Sequence, residues 1–185
     1  MSSLLLAELA ACSALLKSRT AVRDLVGSKP GYVDLIFTWA LDIKAHHHHK
    51  ACWIAELLVL DQPAVLHPYV AKLCSVLPHI QHESAKRPLS KMAFLLVSSP
   101  DFKLTKKQQE QVANSCLDWL ISDTKVATQC YALDILSELA VRDSELLELI
   151  RDMVDQRYSS SKPSFQRRAE KLMRRHFQVG QKKIR

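Results

Sequence analysis

The sequence predicts an all-α protein, a right-handed superhelical stack of about five helical hairpins within a single domain over residues 1–185. Three observations carry this expectation. Nearly every segment spaces its apolar residues at a helical period, and almost none alternates strictly. The same apolar set then recurs at a near-constant step along the chain. Finally, turn-forming residues stand where such a step requires helices to stop and restart.

Residues 4–17 read as a first helix, with Leu5, Leu6, Leu9, Leu15 and Leu16 on one broad face. A shorter helix with Ala21, Val22, Leu25 and Val26 follows, and Gly27, Pro30 and Gly31 break the pattern. This region, 1–28, is expected to cap the stack. From there Tyr32, Val33, Ile36, Phe37 and Ala40 advance by 37 residues to Tyr69, Val70, Leu73, Cys74 and Leu77. A step of 43 reaches Val112, Ala113, Cys116, Leu117 and Leu120, and a further 37 reaches Leu149, Ile150, Met153 and Val154. The helices between them follow suit: Trp53, Leu57 and Leu60 become Leu89, Ala93 and Leu96, then Ala132, Leu136 and Leu139, then Ala169, Met173 and His176. Alternating helices at this period are the signature of an α-solenoid, in which each hairpin buries its apolar face by stacking on its neighbours. Residues 30–178 thus hold four hairpins, and Asp61-Gln62-Pro63, Ser98-Ser99-Pro100-Asp101, Arg142-Asp143-Ser144 and Ser159 to Pro163 stand where helices must end and restart, with Asp and Ser available as N-caps.

The openings of the second helices, Lys50-Ala51-Cys52-Trp53-Ile54-Ala55-Glu56, Ala85-Lys86-Arg87-Pro88-Leu89 and Val126-Ala127-Thr128-Gln129-Cys130-Tyr131-Ala132, resemble HEAT or armadillo-type repeats. The likeness covers residues 30–178 and is similar to small bacterial single-domain proteins of that superfamily. It implies a fold and is nearly silent on activity.

Composition excludes several function classes. The three glycines, Gly27, Gly31 and Gly180, cannot build a glycine-rich phosphate loop. No run of about 20 apolar residues is available to span a membrane. The five cysteines lie among apolar neighbours without C-x-x-C spacing, which reads as buried, reduced thiols in a cytoplasmic protein. Leu9-Ala10-Ala11-Cys12 is similar to a lipoprotein cleavage box, but Glu8 interrupts the apolar run and no lipidation is expected. The net charge of +7 is concentrated at one end: from Lys162 onward nine Lys and Arg face the single Glu170, a balance of +8, so residues 1–161 come to −1.

Three constellations could carry chemistry. The first is the final helix, where Phe165, Ala169, Leu172, Met173 and Phe177 form an apolar stripe and Lys162, Arg167, Arg168, Lys171, Arg174 and Arg175 fill the remaining arc. Such a strip suits anions or a nucleic-acid backbone, and equally an acidic protein surface. Residues 179–185, with Lys182, Lys183 and Arg185, are expected to continue it as a disordered tail. The second is the run His46 to His49, expected in a solvated turn at a helix start, with His79 and His82 on the same edge; His46 and His49 could capture a metal adventitiously, but no physiological metal site or cofactor is expected. The third is Asp118 and Trp119 with Trp39 and Trp53, the types that HEAT-like DNA glycosylases use, although each tryptophan sits in an apolar register that reads as core. The serine loop of adenylosuccinate lyase is absent beyond Ser98-Ser99-Pro100, and that activity is rejected. The expectation is therefore a non-catalytic scaffold that binds a protein or peptide partner, with nucleic-acid binding as the alternative and no small-molecule substrate.

Overall fold

A computed structural model describes residues 2–177, so the tail expected at 179–185 lies outside the described residues. Among the described residues there are ten α-helices and no strand. They are α1 (Ser2–Ala11), α2 (Leu16–Gly27), α3 (Tyr32–Ala40), α4 (His48–Asp61), α5 (Val70–Val76), α6 (Glu83–Ser98), α7 (Lys106–Ile121), α8 (Val126–Leu139), α9 (Ser144–Arg157) and α10 (Pro163–His176). No helix among them is long and apolar enough to cross a membrane. The contacts divide the chain into two units, Met1–Met92 and Ala93–Arg185, with the division falling inside α6.

The first unit is built on α4, which packs against α1, α2 and α3. Its apolar residues face several directions rather than one, and His48, Ala51, Cys52, Ile54, Ala55, Glu56, Leu58 and Val59 are all buried. A helix that is apolar most of the way round belongs in an interior. The second unit repeats the solution with α8, which packs on α7, α9 and α10 and buries Cys130, Ala132, Leu133, Ile135 and Leu136. All five cysteines are buried and free. Burial pushes the Cys74 thiol up to about 11, and those of Cys52 and Cys116 higher still.

Local chemistry sets the boundaries. Gly31, at φ 79°, is the one described residue in the left-handed region and turns the chain into α3. Thr105 caps α7 through a full capping box with Gln108, and the Asp143 carboxylate caps α9 by accepting from the Leu146 amide at 2.9 Å. Pro163 opens α10, where its missing N–H costs nothing.

Two expectations need correction. The single helix over residues 4–17 is broken: α1 stops at Ala11 and α2 starts at Leu16. Serine side chains compete for the backbone there, with the Ser13 amide donating to Ser18 Oγ at 3.0 Å and the Leu15 amide donating to Ser13 Oγ at 3.4 Å. Of the five leucines assigned to one face, Leu5 and Leu9 are buried while Leu6, Leu15 and Leu16 are exposed. The second hairpin also lacks a long first helix. Pro63–Tyr69 and Leu77–His79 are 3₁₀ turns flanking the seven-residue α5, because Pro63, Pro68 and Pro78 withhold the amides that a continuous helix would need.

Pro88 sits inside α6 and leaves the Ser84 carbonyl, one turn earlier, without its helical donor. The Trp53 indole Nε1–H of α4 donates to that carbonyl at 3.0 Å. One helix's defect is thus repaired by its neighbour, which fixes α4 against the start of α6. Beside it, Glu56 is buried on α4, accepts from Lys91 Nζ at 3.0 Å and has Arg19 Nη1 at 3.9 Å. Trp53→Phe should therefore cost about 1 kcal/mol in urea unfolding, the loss of a donor to a half-buried carbonyl. In a Pro88→Ala background the Ala amide can take over the Ser84 carbonyl, so the same substitution should cost at least about 0.5 kcal/mol less in a double-mutant cycle.

Candidate partner-binding groove

A concavity of about 710 Å³ lies between α3 and α5 in the first unit. It is shaped by the turn that ends α3. There the Asp42 carboxylate accepts from the Lys44 amide at 3.0 Å, and the Ala45 amide donates to the Asp42 carbonyl at 3.0 Å. This aspartate turn lifts Ile43 and Lys44 to one lip of the groove. The opposite side is made by the 3₁₀ turn Pro63–Tyr69, which delivers the Tyr69 ring flat onto Phe37, with centroids 4.1 Å apart and planes 4° from parallel. The Tyr69 hydroxyl donates to Asp34, and burial together with that carboxylate pushes the phenol up to about 12, so it stays a neutral donor. Leu41 and Val76 are buried in the floor, whereas Ile43, Lys44, Lys72 and His79 are exposed around it. The hydroxyl of Ser75 donates to the Lys72 carbonyl and that of Thr38 to the Asp34 carbonyl, so neither is paired with a side-chain base. The arrangement offers shape, apolar area and charge rather than reactivity.

The histidine run begins at the far end of this turn, with His46 and His47 preceding α4 and His48 and His49 opening it. The expected solvated turn holds only in part. His48 is buried, with its Nδ1 3.8 Å from Cys52 Sγ, because the helix start turns it inward. His49 stacks on His82 with ring centroids 4.3 Å apart and planes 3° from parallel, and its edge meets Trp53 at 5.3 Å. The expected approach of His82 to the run is therefore present, while His79 lines the groove instead. His46 packs edge-on against His47 with ring centroids 4.5 Å apart, and among the described residues no group of three His, Cys, Asp or Glu side chains could hold a metal. Burial lowers His48 and His49 below the ordinary imidazole range, and neighbouring His82 adds to this in both.

On α10, Phe165, Ala169 and Leu172 dock as the stripe requires. The cations divide into two groups. Arg168 pairs with Asp134 of α8, Arg175 makes two bonds to Glu138 of α8, the one to Oε2 at 2.9 Å, and Arg174 pairs with Glu170 at 3.1 Å. Lys162, Arg167 and Lys171 are exposed and outside ion-pair distance of a carboxylate among the described residues. Arg175 and Glu138 also wall a second concavity, about 510 Å³, whose other lining is mostly apolar and includes Leu96, Phe102 and Leu139. Trp119 is buried while its neighbour Asp118 is exposed, so the two do not face one pocket. Trp39 and Trp53 are half-buried, the latter engaged at Ser84.

Sequence reasoning missed the groove, whose lining comes from two helices, a turn and two 3₁₀ segments. The signal available was Pro63 and Pro68, which could not belong to a regular helix. No family model, curated protein or solved structure matches this chain.

The lowered histidines define a pH dependence. Their neutral forms are favoured in the fold, while the unfolded chain takes up protons near the ordinary value of about 6.5. Their contribution to stability is fully present above that value and is lost as pH falls below it. The urea midpoint at about pH 5.5 should lie below that at about pH 7.5, and His48→Gln should narrow the difference between the two.

Proposed function

We propose that this chain is a non-catalytic interaction module of HEAT or armadillo-like hairpins that engages a protein or peptide partner through the groove between α3 and α5. What supports the repeat reading is the agreement between the 36-to-43-residue step and the helix pairs: α3 packs on α4, α7 on α8 and α9 on α10. The observation that carries the binding reading is the groove itself, an apolar floor and aromatic wall ringed by exposed charge with no reactive pair inside it. The cytoplasmic setting inferred from the free, buried thiols fits such a role.

Phage selection of random dodecapeptides on the full chain tests it. Selected peptides should lose binding to Ile43→Asp, a substitution at an exposed lip residue that leaves the core intact. Peptides that bind this variant as well as the parent would overturn the assignment.

Nucleic-acid binding is the second reading, favoured by the three unpaired cations of α10, Lys162, Arg167 and Lys171. It is weaker because Arg168, Arg174 and Arg175 are already committed to carboxylates, and three phosphate contacts make a shallow salt slope. Under it, anisotropy with a fluorescent single-stranded oligonucleotide should show binding that falls about tenfold or more in the triple Lys162→Glu, Arg167→Glu, Lys171→Glu variant. Under the leading reading that variant keeps its peptide binding.

A further inference from the structure

The charges round the groove between α3 and α5 are not balanced. Lys44 and Lys72 stand exposed at its rim and form no ion pair among the described residues, and His79 adds a third basic group. Against them the lining carries one carboxylate, Asp42, which accepts from the Lys44 amide at 3.0 Å, while Asp34 accepts the Tyr69 hydroxyl. The lining thus holds more ammonium than carboxylate, and Ile43, 44% exposed at the lip over the buried Leu41 and Val76, leaves apolar area uncovered.

We propose that the groove takes a short acidic segment of a partner protein, in which one large aliphatic or aromatic side chain is flanked by Asp or Glu. This rests on the reading of the chain as a binding module and names the class of ligand. The anchor side chain would sit against Ile43 beside the Tyr69 ring, and the flanking carboxylates would reach Lys44 and Lys72. Burying an anchor supplies affinity, and the charges supply orientation and discrimination against basic sequences. A nucleic acid fits the same site poorly. The facing sides of Phe37 and Tyr69 are spent on each other, and the apolar floor offers no donor to a base edge, so neither stacking nor readout is provided for.

The test uses the full chain and three sets of fluorescein-labelled dodecapeptides. In each, the central residue is Leu, Ile, Phe or Trp, and the flanks are Asp and Glu, their amide counterparts Asn and Gln, or Lys. Anisotropy should show the acidic set binding about fivefold or more tightly than the amide set, with the Lys set weakest, and the preference should shrink as salt rises. Lys44→Glu with Lys72→Glu should abolish the acidic preference and improve the Lys set. Both side chains are exposed, so an unchanged thermal melt establishes that the variant is folded. Equal binding of the acidic and amide sets, or an acidic preference that survives the double reversal, overturns the proposal. If the amide set binds as well and is lost in Ile43→Asp, the docking function stands while the acidic class falls. If none of the sets binds, or if sedimentation shows a second copy of the chain seated in the groove and displaced by Ile43→Asp, both fall.

Discussion

Each unit is organised round a helix with almost no wet side. In α4 and in α8, apolar residues are distributed about most of the circumference, and the surrounding helices are arranged so that each covers part of it. Short helices of this kind are marginal alone, and most of their stability comes from the face they bury. The flanking helices, such as α9 and α10, are amphipathic because they have only one face to hide. The order of the elements follows from this division between inner and outer helices.

Polar residues on an inner helix have to be answered from outside, and the answers tie the units together internally. Glu56 on α4 draws Lys91 from α6 and Arg19 from α2 toward it. An isolated carboxylate there would carry a large desolvation cost. Ser137 on α8 meets His176 of α10, whose Nε2 lies 3.0 Å from both its hydroxyl and its carbonyl oxygen. Asp134 and Glu138, on the same helix, engage Arg168 and Arg175. Several of the C-terminal cations are thus used to hold helices in place, although each pair takes up a carboxylate as well and leaves the net charge of +7 unchanged.

Much of the helical content was legible in the sequence, because apolar periodicity reports burial directly. What escaped was set by side chains acting on the backbone: the serines that split the N-terminal helix, the prolines that shorten α5, and the Trp53 repair of the Ser84 carbonyl. The α10 cations show the same limit at longer range. Counting charges placed six of them on one arc without their partners, and Glu138, which Arg175 engages, lies 37 residues earlier in the chain. His48 illustrates the converse, since four identical residues give no pattern to say which one turns inward. The groove was invisible for a geometric reason: it is a space between elements, and no single segment's periodicity encodes it.

The buried thiols have a practical corollary. Cys12, Cys52 and Cys74 belong to the first unit and Cys116 and Cys130 to the second, all free and enclosed. A thiol kept out of solvent reacts only when its surroundings open. The order in which these five positions take up an alkylating reagent is consequently a native chronometer of breathing, reading each half of the chain separately and without an engineered label.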